Sequence, residues 1–152
     1  MKTIVALLFV AASAGWPVIV AAGDPPPQKT GKPITVYKSP TCSCCAAWAD
    51  YLQGHGFDVT AVDRRDLGGI KAQYGVWREL QSCHTAVVDG YAIEGHVPAD
   101  DIWRLLTEKP KAAGLTAPGM PMMSPGMHSI EPRGYDVLLF GQDDGPTVYS
   151  RY

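Results

Sequence analysis

Apolar and polar positions change period along this chain, and the changes predict alternating strands and helices. Ile34-Thr35-Val36-Tyr37 is an apolar run of strand length. From about Cys44 to Gln53, Trp48, Tyr51 and Leu52 fall on one helical face, with Thr41 or Ser43 available as N-cap and Gly54 and Gly56 as stops. Phe57 to Val62 alternates and predicts a second strand; Leu67 to Tyr74 predicts a short second helix. Thr85-Ala86-Val87-Val88 predicts a buried strand that turns at Asp89-Gly90 into Tyr91-Ala92-Ile93. Pro98 then opens a third helix, with Asp100 and Asp101 in its first turn and Ile102, Leu105 and Leu106 on its core face, and Lys109-Pro110 closes it. The order β-α-β-α-β-β-α is that of an α/β sheet with a mixed edge hairpin.

The stretch from Gly114 to Arg133 breaks the pattern. It is rich in Gly, Pro and Met, with Met120, Met122, Met123, Met127 and His128, and it is too long for a simple connector. Tyr135 to Phe140 and Thr147 to Tyr152 predict a terminal hairpin around Asp144-Gly145.

The amino terminus is an address. Lys2 followed by the apolar run Ile4 to Val10 and small residues up to Ala22 predicts a signal peptide over 1–22. Gly15 and Pro17 interrupt that run, which disfavours a spanning helix, and no later segment is long and apolar enough to cross a membrane. Residues 23–33, with Pro25-Pro26-Pro27, predict an extended polar linker, leaving 34–152 as the domain. These features predict an exported protein in an oxidising compartment. A net charge of −2 gives no sign of a nucleic-acid partner.

The chemistry gathers at Cys42-Ser43-Cys44-Cys45, where a strand delivers three sulfurs to a helix start. Free N–H groups and the positive dipole end favour thiolate there. The chain has four cysteines, the fourth being Cys83. Two disulfides would be the ordinary outcome in an exported chain. Bridges within so tight a cluster close tiny loops that add little stability. Metal binding, thiol exchange and structural disulfides all remain open at this point.

Val36-Tyr37-Lys38-Ser39-Pro40-Thr41-Cys42-Ser43-Cys44-Cys45 resembles the strand, turn and C-x-x-C of the thioredoxin superfamily, and most closely its glutaredoxin branch. His84 to Gly90 resembles the strand that follows the cis-proline in that branch, and Glu94-Gly95 falls on its glycine pair. The resemblance implies a thioredoxin-like fold with a Met/Pro/Gly-rich extension from about residue 111 and a C-terminal β-hairpin. His84 stands where that family has the proline that shields the thiols from metal, which favours a metal role. It also places Cys83 opposite the cysteine trio, with His96 on the same rim.

Over nearly the whole mature chain, Thr41-Cys42-Ser43-Cys44-Cys45, Ser82-Cys83-His84-Thr85, Glu94-Gly95-His96-Val97-Pro98, Pro118-Gly119-Met120-Pro121 and Ser124-Pro125-Gly126-Met127 together resemble the exported, CopG-like copper-resistance family. Ser43 stands where that family usually has glycine. The resemblance implies a periplasmic protein of a copper- or silver-handling system, working with other copper-handling proteins.

Soft sulfur donors select Cu(I), with zinc and iron–sulfur clusters as competitors. A tetrahedral site with one thiolate per corner is hard to build from vicinal Cys44 and Cys45 plus Cys42 on one turn. Bridging thiolates relieve this, so the expectation is more than one Cu(I) ion held by Cys42, Cys44, Cys45 and Cys83. His84, His96, Met120 and Met127 are candidates for further ligands or for groups that hold the ligands in place. Blander readings stand beside these: His84 as a loop histidine bonded to backbone, His96 as a surface group, Met120 and Met127 as packing. His55 and His128 are expected in solvent, and Trp48, Trp77 and Trp103 in the core. The rival activity is thiol–disulfide exchange, with Cys42 attacking and Cys45 resolving. No paired carboxylates suggest hydrolysis.

Overall fold

A computed structural model describes residues 31–127 and 131–152. The expected signal peptide, the linker up to residue 30 and His128 lie outside the described residues. The protein is a mixed α/β fold. Among the described residues, one seven-stranded sheet carries three α-helices. In chain order the elements are β1 (Lys32–Lys38), α1 (Ser43–Gly54), β2 (Phe57–Asp63), α2 (Gly68–Gln73), a 3₁₀ turn (Arg78–Leu80), β3 (His84–Val88), β4 (Tyr91–Glu94), α3 (Ala99–Glu108), β5 (Gly114–Thr116), β6 (Asp136–Phe140) and β7 (Thr147–Arg151).

The strands lie in the order β2-β1-β3-β4-β5-β6-β7. β1 pairs with β2 in parallel, as a helical crossover requires, and with β3 antiparallel in a register that sets Lys38 opposite His84. The β3–β4 hairpin turns at Asp89 and Gly90, both with positive φ, as a two-residue primed turn demands. That hairpin is interior rather than at the edge. β5 joins β4 in parallel and the β6–β7 hairpin continues the sheet. β5 has only three residues, Gly-Leu-Thr, too few to show a period.

Side chains alternate across each strand, so the sheet has two apolar faces. One face takes Ile34, Val36, Ala86, Val88, Ile93, Leu115, Val137 and Leu139, and packs against Trp48 and Leu52 of α1 and Ile102, Leu105 and Leu106 of α3. Each buried Val, Ile or Leu side chain there contributes about 1.5–3 kcal/mol. The other face holds a smaller cluster of Val76, Leu80, Ala92 and Phe140. Trp103 is half-buried, stacked on Phe57 with its indole N–H donating to the His55 carbonyl. Trp77, expected in the core, is 42% exposed and meets only the edge of Phe140. His55 is exposed, as its position just past α1 suggests.

The C-terminal hairpin is tied to α3 through Asp101. This carboxylate is buried and accepts hydrogen bonds from the Tyr152 hydroxyl at 2.8 Å and from Ser150 and Arg104. The segment between β5 and β6 passes over the start of α1. Gly126, with φ +80°, lies so close that an added Cβ would sit 2.6 Å from the Trp48 amide nitrogen. Gly119, φ +70°, has open space around it. Gly126→Ala should therefore lower the unfolding free energy by about 2 kcal/mol or more, and Gly119→Ala by only about 1 kcal/mol. Urea unfolding of the two variants checks this; equal losses would contradict the close packing on α1.

Candidate metal centre

The start of α1 is built around sulfur. Cys42 is the N-cap, with extended backbone, and its Sγ accepts the Cys45 amide at 3.3 Å. Neither Thr41 nor Ser43 fills that role. The Thr41 hydroxyl is instead paired with Ser39 Oγ at 3.2 Å. Cys42 and Cys45 are joined as a disulfide, and Cys44 and Cys83 are free thiols. The Cys42 and Cys44 sulfurs are 3.5 Å apart. Cys45 is fully buried and packs inward with Trp48 and Leu52 on the core side of the helix.

Cys83 ends the loop before β3. The β1–β3 register sets that loop beside the β1–α1 turn, because both leave the sheet at the same end. The four sulfurs lie within 4.8 Å of one another. A second group shares Cys83: its sulfur and ring nitrogens of His84 and His96 also lie within 4.8 Å of one another. Cys83 therefore belongs to an all-sulfur set and to a mixed sulfur–imidazole set.

Both histidines are fully buried. His96 Nδ1 is 2.6 Å from the Pro125 carbonyl, and a carbonyl can only accept. The proton is thus on Nδ1, and the Nε2 lone pair faces Cys83 Sγ at 3.3 Å. This is how a backbone carbonyl sets the tautomer of a metal-ligating imidazole. His84 Nδ1 is 3.5 Å from Cys83 Sγ, its ring lies 4.4 Å from that of Trp48, and its Nε2 has no hydrogen-bond partner. A buried nitrogen left so costs about 1–3 kcal/mol. His84 is held between sulfur and aromatic ring, and His96 is interior, not on the surface.

The methionines stand at two openings. Met127 lines a hollow with Ser43, Cys44, Ala47 and Gly126, and Met120 lines another with Gln81, Ser82, Cys83 and Gly119. Met120 and Met122 are both 57% exposed. Met123 is half-buried.

A family profile described as "Protein of unknown function, DUF411" matches residues 80–127, the stretch that holds Cys83, both histidines and the methionines. Solved structures titled "Copper resistance protein copG", in a Form 1 and a Form 2, are each 37% identical to this chain. Each match has a TM-score of 0.73 and covers 80% of this chain and 98% of the other. The chain belongs to the CopG-like copper-resistance family. A comparison with curated proteins returns no match.

In this family member the donor atoms are tuned by burial. Burial, and then the neighbouring Cys44, push the Cys83 thiol up to about 11. An incoming soft cation must displace that proton, so binding is coupled to proton release. Burial also lowers His96 below the usual imidazole range, against the pull of the Pro125 carbonyl. It lowers His84 much further, helped by His96 and Lys71. Both rings are therefore neutral and keep a lone pair for a metal.

Cys42, Cys44 and Cys45 were legible from their spacing and His84 as the neighbour of Cys83, whereas Cys83 and His96 were brought to the trio by the resemblance alone. The Pro125 carbonyl and the Trp48 ring against His84 left no mark in the sequence, because each is a contact made only by the fold.

The buried imidazoles make stability depend on pH. Between the folded value of His84 and the unfolded value of 6.5, the unfolded chain binds a proton that the folded chain excludes. Stability therefore rises with pH through that window and is lost as pH falls below 6.5. The metal-free protein should be less stable at pH 5.5 than at pH 7.5, with His84 contributing to the loss. Urea unfolding at pH 7.5 and 5.5, with His84→Asn as the less pH-sensitive control, measures it. A loss of equal size in the control would contradict the assignment to His84.

Proposed function

We propose that this protein binds Cu(I) for copper resistance, through Cys42, Cys44, Cys45 and Cys83 once the Cys42–Cys45 pair is reduced. More than one ion is held, with thiolates bridging. The observation that carries the reading is the convergence of four sulfurs within 4.8 Å, with Cys83 common to a second group containing His84 and His96. Four donors so close cannot each take a separate corner around separate ions, but shared thiolates can. The titles of the similar solved structures point to copper rather than zinc. Soft thiolates in low-coordinate surroundings suit Cu(I). His84 and His96 complete the shell, and Met120 and Met127 supply thioethers at the two openings.

The strand order β2-β1-β3-β4, with β3 antiparallel to β1, supports a thioredoxin-like core for residues 34–109. β5 to β7 would be the added extension. Export to the periplasm by a signal peptide over 1–22, a linker over 23–33 and exchange of copper with other periplasmic copper-handling proteins complete the proposal. Among the described residues no helix is long and apolar enough to cross a membrane.

A second reading has one observation in its favour, the Cys42–Cys45 disulfide at the helix start. In thiol–disulfide exchange the Cys42 thiolate attacks a substrate disulfide and forms a mixed disulfide. Cys45 thiolate then attacks Cys42 sulfur, releasing the substrate as a dithiol and passing it two electrons.

Anaerobic titration of reduced protein with Cu(I) against a competing chelator tests the first reading. It should saturate at more than one ion per chain, and Cys83→Ser should take up fewer. Saturation at one ion or none contradicts it. Insulin reduction that persists in the presence of a strong Cu(I) chelator would favour the second.

A further inference from the structure

A buried ion pair bonds Ser82, the residue before Cys83, and takes no part in the sulfur cluster. Lys71 of α2 is 6% exposed and Glu94 at the end of β4 is 0% exposed, and Lys71 Nζ bonds Glu94 Oε1. The same Nζ donates to the Ser82 carbonyl at 3.2 Å and to Thr85 Oγ1 at 3.2 Å. Glu94 Oε1 accepts the Ser82 amide at 2.6 Å, and Oε2 accepts the Thr85 hydroxyl at 2.6 Å. The N–H of Ser82 is thus held by the anion and its C=O by the cation.

A buried ion pair is a poor way to gain stability, since the loss of hydration rivals the Coulomb attraction. A packed apolar pair would serve as well for a core. What an apolar pair would not do is hold a peptide that no strand ladder holds. Ser82 lies between the 3₁₀ turn and β3, outside both, with only an isolated bridge to Gly119. Its side chain bonds the Gly119 carbonyl, next to Met120. Gly95 follows Glu94 with φ +73°, and a Cβ there would come within 2.5 Å of Ser82 Oγ. Residues immediately before Cys83 and just before His96 therefore meet at one charged pair.

We propose that Lys71 and Glu94 are positioning residues that fix Cys83 against His96 and the cysteine trio, by gripping the preceding residue, Ser82, through both its N–H and its C=O. The purpose rests on the copper reading; the grip itself does not.

The test uses reduced, metal-free protein and two readouts. One is the rate at which iodoacetamide labels Cys83, followed by peptide mass; the other is Cu(I) affinity by chelator competition. The variant is Lys71→Met with Glu94→Met, which removes both contacts to Ser82 without leaving a lone charge. It should keep its circular dichroism, label Cys83 about tenfold faster and bind Cu(I) about tenfold more weakly. Lys71→Met with Glu94→Gln keeps an acceptor for the Ser82 amide and should fall between this variant and wild type. A folded double-Met variant with unchanged Cys83 labelling overturns the proposal. If that variant does not fold, the Met/Gln variant decides in its place, and wild-type labelling in it overturns the proposal. Faster labelling alongside a wild-type protein that binds no Cu(I) upholds the grip and refutes the copper reading alone.

Discussion

The antiparallel pairing of β1 with β3 is the constraint on which the centre depends. It sets Lys38 opposite His84, so the turn that leads into Cys42 and the loop that ends at Cys83 leave the sheet together. A slip of one residue in this ladder would send every side chain of β3 to the other face. The register is secured from both sides, by the burial of Val36, Ala86 and Val88 in the main core and by the tight turn at Asp89-Gly90. The local chemistry of a helix start and the global register of a sheet meet at one sulfur, that of Cys83.

Once the sulfurs converge, burial decides the state of Cys83 and of the two imidazoles beside it. A thiol pushed upward and two imidazoles pushed downward are all uncharged. With Cys83 protonated and both imidazoles neutral, these three groups add no charge beside the other sulfurs. In the proposed copper site, binding would exchange protons for metal, and the amide dipoles at the start of α1 would favour the resulting thiolates. The Pro125 carbonyl keeps the His96 lone pair on the same sulfur. The Gly126 turn next to it rests on the backbone at Trp48, so the segment after β5 is part of the centre and not an appendage.

The element order was legible because each helix and strand carries its own period: Trp48 and Leu52 on one face of α1, alternation in β2, the Asp-Gly turn. β5 was not, since three residues cannot display a period. Trp77 was misplaced because size and apolarity say nothing about which side of an element meets the sheet. The cap at α1 was assigned to hydroxyls, which usually cap, when a thiol stood one residue away with the right backbone. Within the site, the clustered cysteines announced themselves. Cys83 and His96 could be brought to them only through a resemblance, because contacts between distant segments are a property of register. Lys71 gave no signal, as a lysine on a short helix is ordinarily solvated.

X-ray absorption at the copper edge of the loaded, reduced protein tests the central claim most directly. The account predicts a first shell dominated by sulfur, together with scattering from a second copper at short range. A shell dominated by nitrogen or oxygen around isolated copper ions would contradict it.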